Sequence, residues 1–198
     1  MKLFLYKGGL IMIWFSSDLH FNHDKDFCYE PRGFQSIEEM NTEIIKRWNS
    51  KVAVDDEVYI LGDLMLQDLA AGMYCLRQLN GQLHIILGNH DTNARIEEYS
   101  NCEKIKSINY ATQIKYGKYT AFLSHYPTLC ANYDDEKKVW NLHGHTHSKE
   151  KFSSFAQCYN VALDAHDCYP VSIEEILDDI RKKKQEINNS KEVISNEN

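Results

Sequence analysis

The sequence predicts an α/β domain, and three observations predict it. Short runs rich in Ile, Val, Leu, Tyr and Phe have the composition of buried strands. Stretches with helical periodicity and N-cap signals lie between some of them. Five of the apolar runs end on Asp, His or Asn, three times beside Gly, and in open α/β sheets ligands bind beyond the carboxyl ends of the strands. With 198 residues, 43% of them hydrophobic, the chain can build one real core and has no room for two large domains.

The first stretch, "MKLFLYKGGLIMIW", is apolar but broken by Lys7-Gly8-Gly9, and no small-residue cleavage site follows, so it does not read as a signal peptide. No segment is long enough to span a membrane. Lys-Gly-Gly can be encoded by a purine-rich run resembling a bacterial ribosome-binding site. Met12 is therefore expected to be the native start and residues 1–11 a translated leader. A native N-terminal mass beginning at Met1 would end that expectation.

The first strand is "IMIWF" (11–15). "SIEEMNTEIIKRWN" follows as a helix: Ser36 and Glu39 form a capping box, and Ile37, Met40, Ile44 and Trp48 share one stripe. "EVYIL" (57–61) is the second strand. The helix "DLAAGMYCLRQLNG" has Asp68 as N-cap and Gly81 as its stop. "LHIIL" (83–87), "YTAFL" (119–123), "KVWNL" (138–142) and "YNVAL" (159–163) are further strands, and "SIEEILDDIRKKK" repeats the capping box with Ser172 and Glu175. The single domain is expected to span 12–184. From Gln185 to Asn198 the chain is polar without apolar periodicity, the pattern of a frayed or disordered tail.

Net charge is −7 and the pI about 5.7. That argues against a nonspecific nucleic-acid binder or a membrane-surface protein, both of which use a basic face. The six cysteines are scattered and none forms a CxxC pair, so a zinc ribbon is not expected and free thiols in a reducing cytoplasm are the simplest account.

The strand ends carry the chemistry. They deliver Asp18-Leu-His20, then Gly62-Asp63, then Gly88-Asn89-His90-Asp91, then Ser124-His125, then Gly144-His145-Thr-His147. In "NLHGHTH" a histidine recurs at every second position, which puts His143, His145 and His147 on one side of an extended segment. Turn chemistry explains Asp, Asn and Gly at strand ends, but it does not call for imidazoles at four of the five. The donors are mixed N and O without thiolate, which suits Mn, Fe, Zn, Ni or Co, with Mn first, and suits neither a Ca cage nor a structural zinc finger. They are too many for one ion, so two divalent ions about 3.5–4 Å apart are expected. Asp18 and Asp63 cancel only part of that charge, and the site would attract an anion such as a phosphate ester.

The ordered set DxH, GD, GNHD, SH and GHxH resembles the calcineurin-like metallophosphoesterases over residues 13 to 150. The flanking text "SDLHFNH", "RWNSKVAVDDEVYILGD", "SHYP" and "YPVSIEEI" is similar to the small bacterial and phage phosphoesterases of that superfamily. The resemblance implies a two-sheet β-sandwich flanked by helices, in α/β/β/α layers. It implies that Asp18, His20 and His147 hold one metal, that Asn89, His125 and His145 hold the other, and that Asp63 bridges both. It also implies that a hydroxide between the ions attacks phosphorus in line while His90 stabilises or protonates the leaving oxygen. One departure stands out. Many members read GDxxD, and the later Asp orients the GNH histidine. Leu66 stands there in this chain, so something else must orient His90; Asp68 is near in sequence.

The remaining residues read more blandly. His143 is expected to be a packed neighbour, and His84 and His166 structural. His23, just past DLH, and Tyr126 are weighed as substrate contacts against a solvated loop histidine and a packing tyrosine. Arg32 and Arg95 are weighed as phosphate clamps against surface arginines. Specificity is assigned to loops 22–35, 92–112 and 130–138. The reading is a cytoplasmic hydrolase acting on a small phosphorylated substrate, a nucleotide among the candidates. A nucleotide pyrophosphohydrolase and a non-catalytic metal-binding scaffold are the alternatives; a scaffold should lose ligands or the GNH histidine, and this chain keeps both.

Overall fold

The structure is a computed structural model that describes residues 5–6, 9–130, 139–153 and 157–196. A short antiparallel pair, β1 (Leu5–Tyr6) and β2 (Gly9–Leu10), precedes the domain. The first large sheet is built from β3 (Ile13–Ser16), β4 (Glu57–Leu61), β5 (Gln82–Ile86) and β6 (Ile105–Asn109), all parallel. The crossovers carry a short helix α1 (Asp26–Tyr29), then α2 (Ile37–Lys51), α3 (Leu69–Arg77) and α4 (Asn93–Ser100). The second sheet follows: β7 (Ala111–Tyr116) antiparallel to β8 (Tyr119–Ser124), with β9 (Val139–His143) and β10 (Cys158–Asn160) parallel beyond it, in the order β10-β9-β8-β7. The chain then returns to the first sheet as β11 (Val171–Ser172), antiparallel to β3, and ends in α5 (Ile173–Asn196). These are two sheets flanked by helices, as the sequence resemblance implied.

Alternation along β4 and β5 divides the core. Val58, Ile60, Leu83 and Ile85 pack with Met40, Ile44 and Trp48 of α2 and Met73 and Leu76 of α3. Leu61 and Ile86 point the other way, toward Leu123 and Leu142 of the second sheet and Ile173, Ile176 and Ile180 of α5. Strands buried on both faces read as apolar runs rather than as alternating ones, which is why β4 and β5 were legible. The helix caps form as the sequence indicates. Ser36 accepts from the Glu39 N–H, Asp68 from Ala71, and Ser172 and Glu175 bond reciprocally.

Two features differ from the sequence reading. β6 and β7 form regular strands where no strand was expected. They are the outer strands of their sheets, and edge strands carry polar residues such as Lys106, Gln113 and Lys115 that blunt the edge and mask the hydrophobic signal. Much of the 92–112 loop is therefore α4 and β6. And α5 runs on to Asn196 where a frayed tail was expected from Gln185. The segment holds no Gly or Pro, and Lys183 and Glu186 pair at 3.6 Å across one turn, so propensity and spacing sustain a helix that the apolar stripe does not. The 130–138 loop lies outside the described residues after Cys130. Among the described residues, no helix is long and apolar enough to cross a membrane.

A buried carboxylate ties the base of the first sheet together. Asp56 accepts from Trp14 Nε1 at 2.9 Å, from the Ala53 N–H at 2.9 Å and from the Met12 N–H at 3.0 Å. Asp56→Ala strands the buried Trp14 Nε1–H and two partly buried backbone N–H groups, and the expected result is a loss of about 2–3 kcal/mol in urea unfolding. An unchanged midpoint would show that water replaces the carboxylate without cost.

Candidate metal centre

The loops that follow β3, β4, β5, β8 and β9 converge at one end of the two sheets. Their backbones are tied to one another before any side chain is considered. Asp18 N–H donates to Gly62 O (3.0 Å), His20 N–H to Asp63 O (3.1 Å) and Gly144 N–H to His125 O (3.0 Å). Within them Asp18, His20, Asp63, His145 and His147 all have left-handed backbone, with φ between 48° and 69°. Each costs a non-glycine residue on the order of 1 kcal/mol. Such concentrated strain, held by neighbouring loops, marks a built site.

Two groups of donors face each other across Asp63. In the first, Asp18 Oδ1 lies 3.8 Å from His20 Nε2 and 3.7 Å from His147 Nε2, and those two nitrogens are 3.2 Å apart. In the second, His125 Nε2 lies 2.9 Å from Asn89 Oδ1 and 3.2 Å from His145 Nδ1. Asp63 Oδ2 stands between them, 3.9 Å from His20 Nε2 and 3.5 Å from His125 Nε2. Its Oδ1 accepts the His90 backbone N–H at 2.9 Å. Asp18, His20 and His147 form one cluster with cation-binding spacing, and Asp18, Asp63 and His125 form another.

The donor set fits divalent metal. Asp18 Oδ1 is buried and has no hydrogen-bond partner among the described residues, and neither has His20 Nδ1. A buried carboxylate oxygen left without a donor is costly unless a cation faces it. The imidazoles are turned to suit: His125 Nδ1 bonds the Leu61 carbonyl at 2.8 Å and His147 Nδ1 bonds Asp164 at 3.0 Å, which leaves each Nε2 lone pair for a metal. The charges agree. Burial opposes ionisation of Asp18, but hydrogen bonding by His20 and Ser17 and the charge of His147 outweigh it, so its carboxyl titrates below the usual carboxylate range. Burial pushes the His20 and His145 imidazoles down toward the neutral, ligating form.

His90 is held by its backbone rather than by its ring. Its N–H reaches Asp63, and Arg95 donates to its carbonyl at 2.7 Å. Its half-exposed imidazole stands beside the donors, with Nε2 3.9 Å from Asp63 Oδ2 and its ring 5.7 Å from that of His20. Asp68 does not reach it, because its carboxylate caps α3. Asp91, the last residue of the GNHD motif, braces this loop: Oδ2 accepts from the N–H groups of Asp63 (3.0 Å) and Gly88 (2.8 Å), and Oδ1 from the buried Tyr99 hydroxyl (2.9 Å).

The structure separates the remaining candidates. Arg32 is not placed to clamp a substrate. Its side chain is 2% exposed and forks onto Asp164 with two bonds of 2.9 Å. Arg95 serves the His90 carbonyl and Thr92. His23 stacks toward His20 at 5.4 Å, and burial and the neighbouring His20 lower its pKa to about 4, so it is neutral at pH 7. Tyr126, half exposed, lies edge-on to His145 at 4.5 Å and to His125 at 5.1 Å. His143 is buried and bonds the Gly144 carbonyl. His84 bridges Glu57 and Ser107, and His166 bonds Asn160 O. Asp164 was missed in the sequence, although it follows a strand as the other carboxylates do.

A family model described as calcineurin-like phosphoesterase matches residues 11–191. The chain is 34% identical over 181 residues to an uncharacterized protein of Methanocaldococcus jannaschii, MJ1445, covering 87% of this chain and 93% of that one. It is 29% identical over 164 residues to the Gene 66 protein of Mycobacterium phage L5, covering 68% of this chain and 77% of that one. In fold it is similar to a protein of unknown function from Aquifex aeolicus, AQ665, with a TM-score of 0.62 and 21% identity over 84% of this chain and 97% of that one. A match over nearly the whole domain, a sandwich of two sheets and a convergent N/O donor set lead to one conclusion: this chain belongs to the calcineurin-like phosphoesterase family, whose members use divalent metals.

Proposed function

We propose that this protein is a hydrolase of phosphoesters, diester or monoester, that works with two divalent metal ions, manganese first among them, in the cytoplasm. The observation that supports this most directly is the pair of donor groups sharing Asp63, with the unpartnered Asp18 Oδ1 between two imidazole nitrogens. Asp18, His20 and His147 would hold one ion, Asn89, His125 and His145 the other, and Asp63 both. Divalent ions bound there would polarise the phosphoryl oxygens and lower the pKa of water toward neutrality.

The protein's own groups do the rest. Asp63 fixes the His90 backbone through its Oδ1, and the half-exposed imidazole stands beside the donors. From there it can hydrogen-bond or protonate the departing oxygen. His23, neutral at pH 7, lies against His20 of one donor group, and Tyr126 lies against His125 and His145 of the other. They would contact the organic parts of a small phosphorylated substrate without adding charge.

The test is hydrolysis of bis-p-nitrophenyl phosphate and p-nitrophenyl phosphate, side by side, after chelation and after Mn²⁺ is restored. The expected result is turnover that vanishes with chelation and returns with Mn²⁺. Preference for the diester points to nucleotides or nucleic-acid ends, and preference for the monoester to a phosphatase. No turnover of either, with metal demonstrably bound, would sink the phosphoesterase reading and leave the pyrophosphohydrolase and then the scaffold.

A further inference from the structure

We infer that the buried Arg32–Asp164 pair is a positioning device that presets the first metal position, the one formed by Asp18, His20 and His147, and leaves the second to other supports. The inference rests on the two-metal reading and adds the residues that shape one half of it.

Arg32 and Asp164 are 132 residues apart and come from different parts of the fold. Arg32 ends a short 3-10 helix (Glu30–Arg32) after α1, and Asp164 lies in another (Leu163–Ala165) after β10. Their contacts converge on one half of the centre. Arg32 donates through Nε and Nη2 to the two Asp164 oxygens, at 2.9 Å each. The same Nη2 donates to the Asp18 carbonyl at 2.8 Å, and Nη1 to the Leu19 carbonyl at 3.3 Å. Asp164 Oδ2 in turn bonds His147 Nδ1 at 3.0 Å. One guanidinium and one carboxylate therefore link the backbone beneath Asp18 and His20 to the ring of His147.

Those contacts sit where the structure needs support. Asp18, His20 and His147 have φ of 56°, 51° and 48°, and left-handed backbone persists only where surrounding bonds over-determine it. Arg32 supplies two such bonds on consecutive carbonyls of the Asp18–His20 turn. Asp164 orients the His147 ring so that Nε2 faces Asp18. The Asp164 segment is itself fixed, because Leu163 N–H donates to Ser17 O at 3.2 Å. The arrangement also solves a charge problem. A bare carboxylate would hold His147 equally well, but a bare guanidinium could not lie beneath a cation site. Paired, they add no net charge and still hold both strands of the site. The second position has different anchors: His125 is set by the Leu61 carbonyl, and Asn89 lies in the loop braced by Asp91.

The experiment is a Zn²⁺ titration of the full chain followed by the ¹⁵N shifts of the histidine side chains, in wild type, Asp164→Asn and Arg32→Lys. Asp164→Asn should raise the Zn²⁺ concentration that half-shifts His147 and His20 by about 10- to 100-fold, while His125 and His145 move by no more than about twofold. Arg32→Lys keeps the charge but cannot fork, and should weaken the same two histidines alone, to a smaller extent. Equal weakening at all four histidines would mean a general structural role and overturn the inference, as would unchanged binding at His147 and His20. If no imidazole of the wild type shifts with Zn²⁺, the two-metal reading falls and this inference with it. Removing the partner of a buried charge can unfold a variant, so a second measurement uses the metal-free wild type at alkaline pH. His147 should be the Nδ1–H tautomer, its proton donated to Asp164. An Nε2–H tautomer would overturn the inference without any variant.

Discussion

Asp63→Asn is expected to lower kcat/KM on either nitrophenyl ester by at least about 100-fold, or about 2.7 kcal/mol of transition-state stabilisation, with little change in thermal stability. Asp63 Oδ2 lies within reach of both donor groups, 3.9 Å from His20 Nε2 and 3.5 Å from His125 Nε2. An amide nitrogen placed there brings protons instead of a lone pair and cannot serve two cations. The amide oxygen can still accept the His90 N–H that Asp63 Oδ1 now accepts at 2.9 Å, so the loop keeps its anchor. Metal content measured on the same sample separates loss of binding from loss of chemistry. Full turnover by Asp63→Asn would mean that no shared carboxylate is needed, and the two-metal proposal would be wrong.

The second large effect is structural and comes from a residue with no chemistry. Gly62→Ala should cost about 2–5 kcal/mol of unfolding free energy, read from urea denaturation, and should weaken metal binding as well. Two costs add. Gly62 has φ +91°, a conformation side chains disfavour, and a Cβ built there meets His125 Nδ1 at 2.5 Å and the Gly88 backbone at 2.8 Å. Gly88 has little room to yield, because Asp63 lies directly against it and its N–H is held by Asp91 Oδ2. His125 would have to turn away from the Leu61 carbonyl that fixes its tautomer. The glycines of the GD and GNHD motifs thus exist for space: two loops and the His125 ring meet where only hydrogen fits. A variant as stable as wild type would show that the loops separate more readily than these distances imply.

How much could be read in advance differs by element. β4 was legible to the residue and β5 nearly so, because burial on both faces leaves a predominantly apolar run. The starts of α2, α3 and α5 were legible because a cap is a local bond between residues three apart, whereas α1 and α4 have no side-chain cap bond to announce them. β6 and β7 were not, since an edge strand owes its pairing to a neighbour and can be polar. In the centre, residue type pointed to Asp18, His20, Asp63, Asn89, His125, His145 and His147, and the structure brings these side chains together. Arg32 was read as a candidate clamp facing the substrate, yet it lies beneath the site and bonds Asp164. Nothing local distinguishes the two cases, because the partner is 132 residues away.

Sequence alone determined the chemistry of this protein: which donors stand at which strand ends, the mixed N and O set without thiolate, and the family. Those follow from residue identity and order, which no fold can alter. The tertiary structure decided which donors stand together, which way each imidazole points and what holds the strained loops. Asp63 comes to stand between the two groups, His147 is turned by Asp164, and the His90 backbone is fixed by the Asp63 carboxylate rather than by an acid at position 66. Those are matters of distances of a few ångströms between segments far apart in the chain, set by tertiary packing and by the hydrogen bonds it brings together.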